Sequence, residues 1–231
     1  MKQDPGWLDA SWPFVRDWLP GPPAVVTEIG CGPRGGFIPA LRSAGHQATG
    51  IDPEAPHGPW YRQQTFESWV ADRPADVVVA STSLHHVGDL ADVLDRIRAA
   101  LVPGGVVAVI EWARERVDEA TARWCFSRLP PAEPGQAGED GEHNWLRHRQ
   151  ADWHASGLAW DAYWQSWAQA EGLHAGQDII DGLDARFDRE LIEYGPYFFD
   201  DLGHVSEADE QAAIDRGQIQ ATRIRYAGRR R

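Results

Sequence analysis

Short apolar runs alternate with amphipathic stretches through the first half of the chain. Val25-Val26-Thr27-Glu28-Ile29 is a β-branched run of the kind that parallel sheets bury on both faces. Gln47–Ile51 repeats the pattern and stops at Asp52-Pro53. Tyr61–Phe66 predicts a weaker third strand, and Asp76–Ala80 (DVVVA) and Val106–Ile110 (VVAVI) predict two further ones. Phe37–Ala44 reads as a helix. Leu90, Val93, Leu94, Ile97 and Leu101 fall on one helical face. Pro103-Gly104-Gly105 is read as the stop of that helix. Upstream, residues 7–19 (WLDASWPFVRDWL) predict a short helix broken or started at Pro13 and closed by Gly21-Pro22-Pro23. Strands alternating with helices predict an α/β layer with a parallel sheet and right-handed crossovers.

The pattern changes after Glu111. Asp118–Leu129 has helical spacing. Pro130–His143, with three prolines, three glycines and four acids, reads as a mobile loop. Asn144–Ala170 is rich in tryptophan, and Trp160, Trp164 and Trp167 recur at i, i+4 and i+7. The tail holds Leu183–Tyr194, the aromatic Tyr197-Phe198-Phe199, a helix near Ser206–Ile214 and a strand candidate at Ile219–Tyr226. The chain shows no internal repeat.

Composition narrows the function classes. The 231 residues are enough for one or two domains with a core that needs no staples. Thirty-five acids against 22 Lys and Arg give a net charge of −13. That balance opposes nucleic-acid binding, whose affinity comes mainly from phosphate neutralisation. Arg229-Arg230-Arg231, the only basic run, reads as a solubilising end. Two cysteines without metal-type spacing argue against a disulfide framework and against a metal site. No 18-residue apolar run and no apolar leader follow Met1, so a soluble cytoplasmic protein is expected, with no membrane partner.

The densest chemistry lies in Glu28-Ile29-Gly30-Cys31-Gly32-Pro33-Arg34-Gly35, after a strand and before a helix. Gly30-x-Gly32-x-x-Gly35 matches the dinucleotide fingerprint literally, and Asp52, 22 residues after Gly30, is where an acid could hold ribose hydroxyls. Two details turn the reading away from a diphosphate. Glu28 would meet it with a carboxylate, which a cation would welcome. Pro33 removes an amide that a phosphate would use at a helix start. A cationic adenosyl ligand, S-adenosylmethionine, fits both details.

These residues resemble the class I S-adenosylmethionine-dependent methyltransferases. The matching pieces are residues 28–35, Gly50-Ile51-Asp52-Pro53, Ala75–Val87 (ADVVVASTSLHHV), and Leu101–Gly105 leading into Val106–Glu111. The resemblance implies a Rossmann-like, doubly wound sheet of seven strands, the last antiparallel and supplied by Ile219–Tyr226. It implies an N-terminal helical segment at 1–23, a cofactor-binding core at 24–112, a helical insertion or lid at 113–182 and a C-terminal completion of the sheet at 183–231. Glu28 would face the methionine end of the cofactor. Gly30, Cys31 and Gly32 would pass beneath it. Asp52 would take the ribose hydroxyls, Thr65, Phe66 and Glu67 would cup the adenine, and Ser81 and Leu84 would lie near the sulfonium.

Methyl transfer is a displacement that rewards alignment in a dry site, and a base is needed only for a nucleophile of high pKa. His85 and His86, just past the fourth strand, are the candidate bases, since ligands bind at the carboxyl ends of such strands. His154 is a further candidate, with Asp152, Tyr194 and Tyr197 behind it. Cys31 is read as a packing residue and not a nucleophile. The tryptophans at 145, 153, 160, 164 and 167 would be the packed face of the insertion or a lid over an apolar acceptor. The expected partner is a small-molecule acceptor. The alternatives are a NAD(P)-dependent oxidoreductase using the literal glycine fingerprint, and a non-catalytic cofactor-binding domain.

Overall fold

The computed structural model describes residues 5–71, 73–130 and 145–231; the predicted loop at Pro130–His143 lies, but for Pro130, outside them. The chain opens with α1 (Pro5–Asp17), which carries Pro13 inside it. Then follow β1 (Val25–Ile29), α2 (Ile38–Ser43), β2 (Gln47–Ile51), β3 (Tyr61–Arg62), β4 (Ala75–Ser81), α3 (Leu90–Ala100) and β5 (Leu101–Trp112). The second half contains α4 (Glu119–Phe126), α5 (Trp145–Ser156), α6 (Trp160–Ala170), α7 (Gly176–Asp184), β6 (Phe187–Gly195), α8 (Glu207–Asp215) and β7 (Arg223–Arg230).

The strands form one seven-stranded sheet in the order β3-β2-β1-β4-β5-β7-β6. β1 to β5 run parallel, with Ile29 opposite both Ile51 and Ala80, and Ser81 opposite Ile110. The last strands are antiparallel, as the doubly wound, Rossmann-like reading requires. The strand order turns outward from β1 and β4 in opposite directions, which leaves a crevice at their carboxyl ends. Val77, Val78, Val79, Val107, Ala108 and Val109 are fully buried, so the two central strands are apolar on both faces.

Three boundaries differ from the sequence reading. Pro103-Gly104-Gly105 does not stop α3; the helix ends at Ala100, and the three residues lie within β5, where the pairing with β4 shifts register. The last strand is Arg223–Arg230 and not Ile219–Tyr226, because Ala221 and Thr222 are held as a connection: their carbonyls accept from Arg116 Nε and from the Ala113 amide. The basic end is therefore part of the sheet, with Arg229 on Glu190 at 2.5 Å and Arg231 on Asp188 at 2.7 Å. The Trp-rich stretch of helical spacing at 144–170 forms two helices, α5 and α6, with Gly157 between them at φ +67°.

The chain divides into two compact units, one made of 1–112, 174–193 and 224–231, the other of 113–173 and 194–223. The second has its own aromatic core. Ring centroids step from Trp153 to Trp160 (5.1 Å), Trp164 (4.8 Å), Trp167 (4.6 Å) and Trp145 (6.3 Å). Trp160 and Trp164 donate their indole N–H groups to the carbonyls of Val117 and Arg114 at 2.7 and 2.8 Å. The packed-face reading of these tryptophans holds.

Candidate functional site

The first unit gathers its chemistry at the carboxyl ends of β1, β2, β4 and β5. After β1 the chain cannot enter a helix directly. Gly30 (φ +75°) and Gly32 (φ +55°) take left-handed conformations that side chains disfavour, and Gly35 and Gly36 do so again at +84° and +53°. The turn is therefore longer than the glycine spacing suggests, and α2 starts only at Ile38. Gly30 donates to the Ile51 carbonyl at 2.9 Å, which ties the loop to the end of β2.

The Glu28 carboxyl is turned to the start of α2. Its side chain is buried, and both carboxyl oxygens accept from the Phe37 amide, at 3.1 and 2.9 Å. The next amide, Ile38, donates to the Gly35 carbonyl at 3.2 Å. Burial raises its pKa from 4.5 to about 8, opposed by the Phe37 hydrogen bond and reinforced by the Asp52 charge. Near neutral pH Glu28 is therefore uncharged, and the expected attraction between its carboxylate and a cation is absent. Gly36 is required opposite it: a Cβ there would lie 2.2 Å from Glu28 Oε1.

Cys31 is fully buried. Its thiol lies against Gly50 of β2, and burial pushes its pKa far up. Asp52 follows β2, is buried, and uses Oδ1 to accept from the Glu54 amide at 2.8 Å. Phe66 is buried in the short turn Phe66–Ser68 with its ring 5.5 Å from Trp69, while Thr65 is exposed and Glu67 half-buried.

The turn after β4 is the most tightly bonded part of the site. Ser81 and Leu84 are buried, and Ser81 Oγ has no hydrogen-bond partner. Thr82 is held at φ +48°, a strained setting for a β-branched residue. Beyond it the Glu111 carboxylate accepts from the amides of Ser83 (2.8 Å), Leu84 (2.7 Å) and Trp112 (2.9 Å), and meets His85 Nδ1 at 2.7 Å. Ser83 Oγ donates to the Ile29 carbonyl at 3.2 Å, joining this turn to the glycine loop. The Glu111 pKa is lowered: burial would raise it, and the His85 charge and these hydrogen bonds outweigh burial. The His86 ring lies 4.1 Å from that of His85. Desolvation, then the His85 charge, push its pKa down to about 4.

Other candidates lie elsewhere. His154 is on α5 in the second unit, exposed and beside Trp153. Asp152 pairs with Arg149 at 2.8 Å, the Arg116 guanidinium covers the Tyr194 ring at 4.4 Å, and the Tyr197 amide donates to Glu210. Glu111 escaped the sequence reading as a site residue, although an acid closing the apolar run Val106–Ile110 was its signal. Among the described residues no group of three or more His, Cys, Asp and Glu is disposed to hold a metal.

A family model described as a methyltransferase domain matches residues 13–172. No curated protein matches. The fold is shared with an S-adenosylmethionine dependent methyltransferase from Mesorhizobium loti (19% identity, 96% of this chain and 100% of that one, TM-score 0.56). It is also shared with geranyl diphosphate C-methyltransferase from Streptomyces coelicolor A3(2) (17%, 96% and 80%, TM-score 0.54). N-methyltransferase NodS from Bradyrhizobium japonicum WM9, crystallised with S-adenosyl-L-homocysteine, aligns at 14% over 98% of this chain and 88% of that one, with a TM-score of 0.52. At such identities these likenesses speak for the fold.

Proposed function

The chain belongs to the methyltransferase-domain family, and on that premise we propose that it transfers the methyl group of S-adenosylmethionine to a small-molecule acceptor. One observation carries the choice of cofactor. The amides of Phe37 and Ile38, which a diphosphate would need at the start of α2, are already taken, the first by Glu28 and the second by the Gly35 carbonyl. The crevice instead offers a carboxylate just past β2 for ribose hydroxyls, glycines that let backbone approach closely, and a buried hydroxyl at Ser81 that lacks a partner. That set suits an adenosyl ligand and argues against the NAD(P) alternative. When bound, S-adenosylmethionine supplies a methyl group to the acceptor's lone pair, the C–S electrons staying on sulfur as S-adenosylhomocysteine is formed.

In this reading Asp52 binds the ribose, Gly30, Cys31 and Gly32 form the floor by their backbone, and Thr65, Phe66 and Glu67 border the adenine. Ser81 and Leu84 lie near the sulfur, and Glu28 acts indirectly by shaping the loop. Where the acceptor carries a proton, His85 takes it. His86, with its basicity lowered to about 4, is the poorer base near neutrality. The acceptor is a small molecule and not a nucleic acid, as the net charge of −13 favours, and a cytoplasmic setting belongs to the same reading. Among the described residues no helix is long and apolar enough to cross a membrane.

Titration calorimetry tests the proposal. S-adenosylmethionine should bind at micromolar to tens of micromolar concentration, and Asp52→Ala should weaken it by one to two orders of magnitude, about 1.4–2.7 kcal/mol. No heat at several hundred micromolar, or an unchanged affinity in Asp52→Ala, counts against it.

A further inference from the structure

We propose that Glu111 is a positioning residue of the transfer site: it fixes the turn after β4 and holds His85 with its proton on Nδ1, so that Nε2 is the one ring nitrogen able to accept a proton. The use of that nitrogen in methyl transfer rests on the function proposed above; the placement of the proton does not.

The geometry has three parts. Glu111 is fully buried at the end of β5, and both its oxygens are occupied. Oε1 accepts from two successive amides, Ser83 and Leu84, which sets the backbone direct from the strained Thr82. Oε2 accepts from the Trp112 amide and lies 2.7 Å from His85 Nδ1. An ionised carboxylate only accepts, so at that separation Nδ1 must carry hydrogen, whether the ring is neutral or charged. The proton therefore comes and goes at Nε2. The far side of the turn is held as well. The His174 amide donates to the His85 carbonyl at 3.0 Å, and His174 Nε2 meets the Val87 carbonyl at 2.8 Å. With the backbone tied on both sides, the ring edge facing Glu111 cannot turn away without breaking a buried charge-assisted contact.

This arrangement does more than fill space. A buried amide in place of the carboxylate could still accept from Ser83 and Leu84. It would, however, turn its NH2 toward His85 Nδ1, which must then be a lone pair, and would deprive the Trp112 amide of its acceptor. Glu111→Gln should thus move the His85 proton from Nδ1 to Nε2 while the fold survives.

The test is a long-range 1H–15N correlation on the full chain labelled with 15N-histidine, with His85 assigned by the signal missing in His85→Gln. In the unsubstituted protein His85 should show the Nδ1–H tautomer or, at low pH, an imidazolium whose Nδ1 proton exchanges slowly. In Glu111→Gln it should show the Nε2–H tautomer. Binding of S-adenosylmethionine by both proteins, followed by calorimetry, reports separately on the proposed function, since Glu111 also orders the Ser83–Leu84 turn. An Nε2–H tautomer in the unsubstituted protein overturns the inference, as does an unchanged tautomer in the variant. If Glu111→Gln does not fold, the tautomer of the unsubstituted protein decides alone. Absent binding of S-adenosylmethionine to both proteins would fault the proposed function and leave the His85 result standing.

Discussion

Two buried glutamates, at the ends of β1 and β5, show how environment divides one side chain into two roles. Glu111 meets three amides and an imidazole, and its charge is favoured. Glu28 meets the start of α2 and the charge of Asp52, and burial makes it a proton holder, with a pKa raised from 4.5 to about 8. The unfolded chain releases that proton near the ordinary glutamate value, while the folded chain keeps it. Between pH 4.5 and about 8 the native state therefore binds more protons, and stability falls as pH rises, by at most about 1.4 kcal/mol per pH unit. Glu28→Gln mimics the protonated form and lacks this dependence. Thermal melts of both proteins at pH 5, 7 and 9 should show the unsubstituted protein losing Tm relative to the variant at each step. A gap that stays constant with pH would mean that Glu28 is ionised throughout.

At the scale of elements, β1, α2 and β2 are fitted around the glycine loop with little spare room. Gly50 in β2 is glycine because the loop packs on it: a Cβ would lie 2.7 Å from Cys31 Sγ and 2.9 Å from Ile38 Cγ1. Gly50→Ala should cost about 1–3 kcal/mol through overpacking and weaken S-adenosylmethionine binding by displacing the loop. Adding Cys31→Ala, which removes the nearest atom, should restore part of both. Denaturant melts of the single and double variants measure that coupling, and strictly additive losses would show that thiol and strand do not meet. Elements set by local pattern were legible in the chain: β1 and β2 start and stop where the apolar runs do, and α3 follows its apolar face. What the chain hid depends on partners distant in sequence. β7 begins four residues later than Ile219 because side chains and amides of the 113–121 segment claim residues 220–222. Helix α7, Gly176–Asp184, went unread because glycines at 176 and 182 and three acids obscure an apolar face of Ile179, Ile180 and Leu183. The surroundings of Glu28 were hidden for the same reason, since residues 36 and 37 fold back to meet it.

For the whole molecule, charge is the property that bears most on ligand choice. Thirteen excess negative charges give a field that favours cations approaching the crevice and opposes polyanions. S-adenosylmethionine carries a sulfonium, an ammonium and one carboxylate, a net charge of about +1 at neutral pH; S-adenosylhomocysteine lacks the sulfonium and is nearly neutral. With Glu28 uncharged, the attraction comes from Asp52 and from this wider field, and a field spread over the surface is open to screening. The Debye length falls from about 30 Å at 0.01 M salt to about 10 Å at 0.1 M, and shorter still above it. Raising NaCl from roughly 10 to 500 mM should therefore weaken S-adenosylmethionine several-fold, and S-adenosylhomocysteine by less than about twofold. Calorimetric titrations of both ligands at the two salt concentrations measure the difference. Equal responses would locate the discrimination entirely in short-range contacts, and the acidic balance would then matter for solubility alone.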